Sequence, residues 1–201
     1  EDDGLRKEMN RHLASHGLKY QGKTNIKHFL SVLYHDVGIE NLTQTLTKSY
    51  KDLKIATHYG CHALRPSQIT RFDNPVAPSL FDELVEVTGA ESVDWETRLE
   101  CCGAALMGIQ DNLSMDLTRK KLKDGKHAGA AYLCAACPWC HIQFDAVQHT
   151  MMLENGNEPP LASILYPQLL GLCMGIDNET LGIGMNHIDI RGVTSYLSSA
   201  L

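Results

Sequence analysis

The chain has 201 residues, a net charge of −6 and an apolar content of 43%. These values are typical of a soluble globular protein with a sizeable core, and the acidic balance argues against a nucleic-acid-binding surface. No run of 18 apolar residues occurs, so no membrane-spanning helix is expected.

The chain start and the cysteine count bear on cellular context. The chain begins with Glu1-Asp2-Asp3 rather than methionine and has no signal peptide there, which favours its being a piece of a longer protein. Its seven cysteines are an odd number in a chain that is not small. This disfavours a secreted disulfide scaffold and favours reduced thiols in the cytoplasm.

The first part of the chain, residues 1–50, is predicted to be a helical segment. A short amphipathic helix is expected around Leu5, Met9 and Leu13, ending before Gly17. A second helix is expected to be capped by Thr24 and ended by Gly38. Its apolar face follows helical spacing and consists of Ile26, Phe29, Leu30, Leu33 and Val37.

Strands and helices are predicted to alternate in residues 51–201. The expected strands are residues 55–59, 91–95 and 130–134, with a short extended piece at 164–166. Helices are expected from Ser79 to Gly89, with Asp82 in a capping box, from Gly103 to about residue 126, over residues 140–152, and from residue 166 to about 175. The remaining tail is predicted to be irregular.

This alternation predicts an α/β fold: a parallel sheet of about four strands covered by helices, with an N-terminal helical extension. In that fold, the positions of the cysteines relative to the strands indicate a site. Cys61 follows the first strand, the pair Cys101-Cys102 follows the second, and Cys137 and Cys140 follow the third. Because sites form beyond the carboxyl ends of parallel strands, these five cysteines are expected to converge at one edge.

Clustered thiolates usually bind a soft metal or an iron–sulfur cluster. The spacing of Cys137 and Cys140 also suits a redox dithiol. Cys134 stands three residues before Cys137, so spacing alone leaves either pair as the ligand pair, although a strand position favours a core role for Cys134. Cys173 is predicted to be a core residue. Five thiolates exceed the four ligands that a zinc ion takes.

The segments around the cysteines resemble a known family. They read His-Tyr-Gly-Cys-His-Ala-Leu-Arg-Pro at 58–66, Leu-Glu-Cys-Cys-Gly at 99–103 and Ala-Cys-Pro-Trp-Cys-His at 136–141. They are similar to the CCG, or cysteine-rich, domain of the heterodisulfide reductase B subunit. The resemblance extends over nearly the whole chain, and residues 51–201 correspond to the second, carboxyl-terminal copy of a domain that occurs twice in such subunits.

The resemblance implies a noncubane 4Fe-4S cluster held by Cys61, Cys101, Cys102, Cys137 and Cys140, and it places Cys134 outside the ligand set. It also implies an oxidoreductase that cleaves a disulfide of the coenzyme M–coenzyme B type, with iron–sulfur and flavin subunits as electron donors. The isolated domain is expected to be inactive, because the family's chemistry needs both copies. Zinc is expected as a substitute if a cluster is lost to oxidation.

Three polar residues near the motifs have two interpretations each. His62, which follows the first cysteine, either donates a proton or hydrogen bond to a departing thiolate or only fixes its loop. His62 is the candidate catalytic residue. His141 is expected to be a polar residue at a helix start, and Arg65 an exposed loop arginine rather than an anion-binding group.

Two other functions remain open at this stage. One is an electron-relay role for the same domain in a lactate, glycolate, glycerol-3-phosphate or quinone-linked oxidoreductase. The other is a structural zinc module that only supports interactions within a complex.

Overall fold

The fold is taken from a computed structural model of the chain that describes residues 2–155 and 159–199. Its strands are β1 (Lys48–Tyr50), β2 (Lys54–His58), β3 (Glu91–Val93), β4 (Tyr132–Ala135), β5 (Ser163–Leu165) and β6 (Leu197–Ser199). Its α-helices are α1 (Asp3–Ala14), α2 (Phe29–Ser31), α3 (Ile39–Gln44), α4 (Cys61–Leu64), α5 (Ser67–Thr70), α6 (Leu80–Val87), α7 (Asp111–His127), α8 (Pro138–Ile142), α9 (Gln148–Asn155) and α10 (Tyr166–Cys173). Shorter 3₁₀ segments are Ala104–Leu106, Ile183–Met185 and Arg191–Tyr196, and π-helical turns are Val32–Val37 and Gln143–Val147.

The central sheet has four parallel strands, which confirms the predicted parallel sheet. The strands lie in the order β3-β2-β4-β5. The chain passes from β2 to β3 on one side and then returns to place β4 on the other side of β2. The winding therefore reverses between β2 and β4. A reversal of this kind opens a crevice beyond the carboxyl ends of the two strands, which is where α/β proteins place their sites.

The sheet separates two apolar cores. One face carries the larger core, which includes Ile55, Cys134 and Ile164 with α6 and α10 packed on it. The opposite face carries Ala56, Leu133 and Ala135 and packs against α7 and the helix that begins at α8. Alternate residues of a strand point to opposite faces, so β4 sends Cys134 to one core and its two neighbours to the other.

The second N-terminal helix is shorter than predicted. It begins at Phe29, where the His28 ring accepts a hydrogen bond from the Leu30 amide at 3.3 Å, and not at Thr24. Ile26 is 90% exposed and lies outside the helix, whereas Leu30 and Leu33 of the predicted apolar face are buried in the core. The predicted end at Gly38, which has a φ of 85°, is confirmed.

The capping box predicted at α6 is wrong. The backbone amides of Ser79 and Leu80 donate to the Asp73 carboxylate at 2.9 and 2.7 Å. Asp82 instead accepts hydrogen bonds from Tyr59 and Ser92 at 2.7 and 2.6 Å, so it links the helix to the sheet. A loop carboxylate seven residues upstream satisfies the helix start, and local spacing does not reveal it.

Two further predictions need correction. The long helix expected from Gly103 is a 3₁₀ turn followed by α7, which begins at Asp111. Residues 48–50 lie in the segment predicted to be helical but form β1, which pairs antiparallel with β6 in the tail predicted to be irregular. Across the described ranges, no helix combines the length and apolar character needed to cross a membrane.

Helix α7 anchors the loop that follows β3. The buried Thr118 hydroxyl donates to the carbonyl of Cys102 at 3.0 Å, and the Ser114 hydroxyl donates to the carbonyl of Gly103 at 2.9 Å. The Gln143 amide donates to both hydroxyls, at 2.8 and 2.7 Å. This buried polar network fixes the backbone of the Cys101–Gly103 loop against two helices.

Thr118→Val is expected to lower the free energy of unfolding by about 1–3 kcal/mol, because it keeps the shape of the side chain but leaves buried polar groups without a partner. Urea denaturation under reducing conditions measures this. Thr150→Val is the matched control, since Thr150 donates to a carbonyl on an exposed helix surface and its replacement should change stability by less than about 0.5 kcal/mol. Equal losses in the two variants would show that the network does not stabilise the loop.

Candidate iron–sulfur site

The five cysteines of the sequence motifs lie on three loops at one edge of the sheet. Cys61 begins α4, three residues after β2 ends. Cys101 and Cys102 lie in the loop after β3, and Cys137 and Cys140 frame the start of α8 just after β4. The last residues of β2 and β4, His58 and Ala135, are paired in register. The sheet register therefore brings the three loops to one place.

The sulfur atoms are close together. Cys102 Sγ and Cys140 Sγ share a hydrogen bond at 3.3 Å, and the Gly103 amide donates to Cys101 Sγ at 3.4 Å. Cys102 and Cys140 are buried, Cys61 and Cys137 are half-buried, and Cys101 is exposed. The site thus has a closed floor and one side that is open to an incoming reactant or partner.

Two glycines allow the loops to approach each other. Gly60 has a φ of 73°, and a Cβ there would lie 3.2 Å from Cys137 Cβ and 3.6 Å from Cys140 Sγ. Gly103 has a φ of 96°, and a Cβ there would lie 2.5 Å from the carbonyl oxygen of Ser114. Both positions need the left-handed backbone region that glycine adopts without strain, so the glycines next to the cysteines are part of how the site is built.

The thiols alter one another's protonation because of their proximity. The hydrogen bond with Cys140 lowers the pKa of Cys102, and the same contact raises the pKa of Cys140. The pKa of Cys137 falls to about 6, mainly through its hydrogen bond with Cys140. Burial, with a contribution from Cys101, raises the pKa of Cys61. Several thiolates at this spacing repel one another, and a bound cationic centre would relieve that repulsion.

A buried cation and a buried histidine lie on the floor of the site. Lys121 of α7 is fully buried, donates to the Thr97 carbonyl, and has its Nζ 4.6 Å from the centre of the Trp95 ring. Burial lowers the pKa of Lys121 to about 8, and the negative charges of Glu100, Cys102 and Cys140 oppose that shift. A nitrogen of His58 and the sulfurs of Cys102 and Cys140 all lie within 4.8 Å of one another.

The other two cysteines lie apart from this group. Cys134 is fully buried in the larger core on the opposite face of the sheet, and burial raises its pKa. Cys173 packs in the same core with its sulfur 3.6 Å from the Thr88 carbonyl oxygen, and burial raises its pKa to about 12. Thiols in such surroundings resist the ionisation that metal binding requires.

The three polar residues near the motifs occupy different positions. His62 and Arg65 are exposed; His62 follows Cys61 in α4, and Arg65 lies at the end of that helix. His141 is half-buried, with its ring nitrogens 3.0 Å from the Ser163 hydroxyl and 3.4 Å from the Asn186 amide. These contacts direct His141 away from the cysteines and give it a structural role at the helix start.

The donor set fits an iron–sulfur cluster. Thiolates are the ligands that zinc and iron–sulfur clusters take, and the five sulfurs here exceed what one tetrahedral zinc ion needs. His58 and Lys121, which complete the floor, were not predicted from sequence. His58 is the last residue of a buried strand, and this position in the sequence could have indicated that it lies at the site. Lys121 carries no such signal, because its burial depends on how α7 packs on Trp95.

Comparisons with known proteins agree with this geometry. A family model described as a cysteine-rich domain, CCG, matches residues 55–145. That range includes β3, β4, all of β2 but its first residue, and all five cysteines of the site.

Relatives extend the likeness beyond that range. The B subunit of the ferredoxin/F(420)H(2)-dependent CoB-CoM heterodisulfide reductase of Methanosarcina acetivorans is 38% identical over 175 residues, which is 86% of this chain and 58% of that protein. The B subunit of the ferredoxin:CoB-CoM heterodisulfide reductase of Methanosarcina mazei matches to the same extent. The 8-methylmenaquinol:fumarate reductase membrane anchor subunit of Wolinella succinogenes is 31% identical over 94% of this chain and 66% of its own length. The chain thus spans about three fifths of the heterodisulfide reductase subunits it matches.

The fold also has a counterpart among solved structures. A hypothetical protein from Helicobacter pylori superimposes with a TM-score of 0.66 at 12% identity, covering 95% of this chain and 34% of that one. At this identity the likeness concerns the fold alone. The matched motif range and the similarity to the heterodisulfide reductase subunits lead to one conclusion: residues 55–145 of the chain form a CCG cysteine-rich domain.

Proposed function

We propose that this chain holds a noncubane 4Fe-4S cluster on Cys61, Cys101, Cys102, Cys137 and Cys140. It would serve as the cluster-binding part of a heterodisulfide reductase-like complex that reduces a disulfide of the CoM-S-S-CoB type. The observation that carries the proposal is the convergence of five free thiols from three loops at the point where the sheet reverses its winding. The two relatives named as CoB-CoM heterodisulfide reductase subunits support the substrate class.

The chain's own residues suit such a site in three ways. The buried pair Cys102 and Cys140 keeps one side of the site away from water, while the exposed Cys101 leaves the opposite side accessible. The buried Lys121 interacts electrostatically with Cys102 and Cys140 and so offsets part of their negative charge. The polar network on α7 holds the Cys102 backbone in place.

When bound, the cluster would supply electrons one at a time. Reduction of the disulfide takes two electrons and two protons, breaks the S–S bond and yields two thiols. His62 lies exposed beside Cys61, and we assign it the donation of a proton to a departing thiolate. Arg65, exposed at the end of α4, is not assigned a role in binding the substrate.

Partners follow from the same proposal. Both heterodisulfide reductase relatives are named as parts of larger reductases, and electrons would reach this chain from iron–sulfur or flavin subunits. Full activity would also require the part of those relatives that the chain does not span. The free state of all seven cysteines supports a reducing compartment such as the cytoplasm.

A second function is favoured by one comparison. The Wolinella succinogenes relative is named as a subunit of an 8-methylmenaquinol:fumarate reductase. In a complex of that kind, the same site would relay electrons from a quinol and would not bind a disulfide substrate. Disulfide reduction by the assembled complex distinguishes the two functions.

Cysteine variants test the ligand set. After anaerobic reconstitution with iron and sulfide, the chain should hold about four irons with matching labile sulfide. Cys140→Ala should lose most of this iron because it removes a central thiolate. Cys134→Ala is the matched control, since it is equally buried but lies on the opposite face, and it should keep its iron. Iron and sulfide analysis with visible absorption provides the measurement. One zinc per chain without iron absorption would contradict the proposal.

A histidine variant tests the proton donor. His62→Gln should leave the iron content unchanged and lower disulfide reduction by the assembled complex about 100-fold, as expected for the loss of a general acid. His12→Gln, an exposed histidine on α1, is the control and should behave as wild type. An iron content that falls together with activity would mean that His62 only fixes its loop.

A further inference from the structure

The side chain of His58 is the unusual feature on the floor of the site. It is 1% exposed, yet neither ring nitrogen has a hydrogen-bond partner among the described residues. An unpaired buried polar group costs about 1–3 kcal/mol, so burial of such a group calls for an explanation. The geometry provides one, because a ring nitrogen lies within 4.8 Å of the sulfurs of Cys102 and Cys140.

The neighbours of His58 set its orientation. The ring makes an edge contact with Phe144, with centroids 5.0 Å apart, and a tilted contact with Trp95 at 6.4 Å. These apolar contacts hold the ring plane but satisfy neither nitrogen. Burial lowers the pKa of His58, the charge of Lys121 adds to that effect, and the Cys102 thiol opposes it. An imidazole carries at least one N–H in either protonation state, so His58 has a donor for a nearby sulfur.

We propose that the imidazole of His58 donates a hydrogen bond to the sulfur of Cys102 and thereby raises the reduction potential of the bound cluster. This inference rests on the proposed cluster. Hydrogen bonds to cluster sulfurs are among the factors that set such potentials, because they stabilise the more negative reduced state. His58 acts through the cysteine, so it is a positioning residue and not a ligand.

The matched variants are His58→Gln, which keeps an N–H donor, and His58→Leu, which has none. After anaerobic reconstitution, iron and sulfide content is measured first and the midpoint potential is then determined by an EPR-monitored redox titration. His58→Leu should titrate at a lower potential than wild type, and His58→Gln should lie between the two. His141→Gln is the control, because His141 bonds to Ser163 instead, and its potential should equal that of wild type.

A spectroscopic readout serves if His58→Leu does not retain its cluster. Wild-type protein labelled with ¹⁵N-histidine should show a weak nitrogen coupling and an exchangeable proton coupling in pulsed EPR, and His58→Gln should lose the nitrogen coupling. Equal potentials in wild type and both His58 variants would overturn the inference, as would the strong coupling of a directly bound imidazole. Failure of wild type to assemble any cluster would instead overturn the proposed function and this inference with it.

Discussion

The pairing of β2 with β4 is the constraint on which the rest of the structure depends. It forces the chain to reverse its winding after β3, and it aligns His58 with Ala135 at the carboxyl ends of the two strands. The loops that follow therefore start side by side, although about 75 residues separate them in sequence. If β4 were shifted by one residue in this register, each of its side chains would point to the opposite face of the sheet. This shift would bring Cys134 to the face of the site and turn its neighbours Leu133 and Ala135 away from it.

Electrostatics explains why this arrangement suits a metal centre better than an ordinary core. Thiols as close as Cys102 and Cys140 cannot both ionise unless a positive charge offsets their repulsion. The pKa of Cys102 is therefore lowered while the pKa of Cys140 is raised. The floor beneath them contains Lys121, whose charge is buried, and His58, whose nitrogens have no partner among the described residues. Each of these features is costly in an apolar core. Together they suit a metal centre whose thiolate ligands carry negative charge and offer sulfur acceptors, as in the proposed cluster.

The sequence was informative where local patterns and topology act together. The parallel sheet, its four strands and the positions of the cysteines after three of them were predictable, because strand–helix alternation and the rule for carboxyl ends are enough. The separation of Cys173 from the site followed from its helix. The start of α2, the Asp73 cap of α6, the β1–β6 pair and the burial of Lys121 were not predictable. The β1–β6 pair and the burial of Lys121 depend on contacts between residues distant in sequence, such as Lys48 with Ser199. The starts of α2 and α6 depend on capping by His28 and Asp73, which the spacing of apolar residues does not reveal.

The most direct test of the account is the anomalous scattering of iron in crystals grown anaerobically from the reconstituted chain. We expect iron peaks within bonding distance of the sulfurs of Cys61, Cys101, Cys102, Cys137 and Cys140, with none near Cys134 or Cys173. We also expect the ring of His58 to lie within hydrogen-bond distance of the Cys102 sulfur and outside bonding distance of iron. A single zinc ion held by four of these cysteines, or iron coordinated by Cys134, would contradict it.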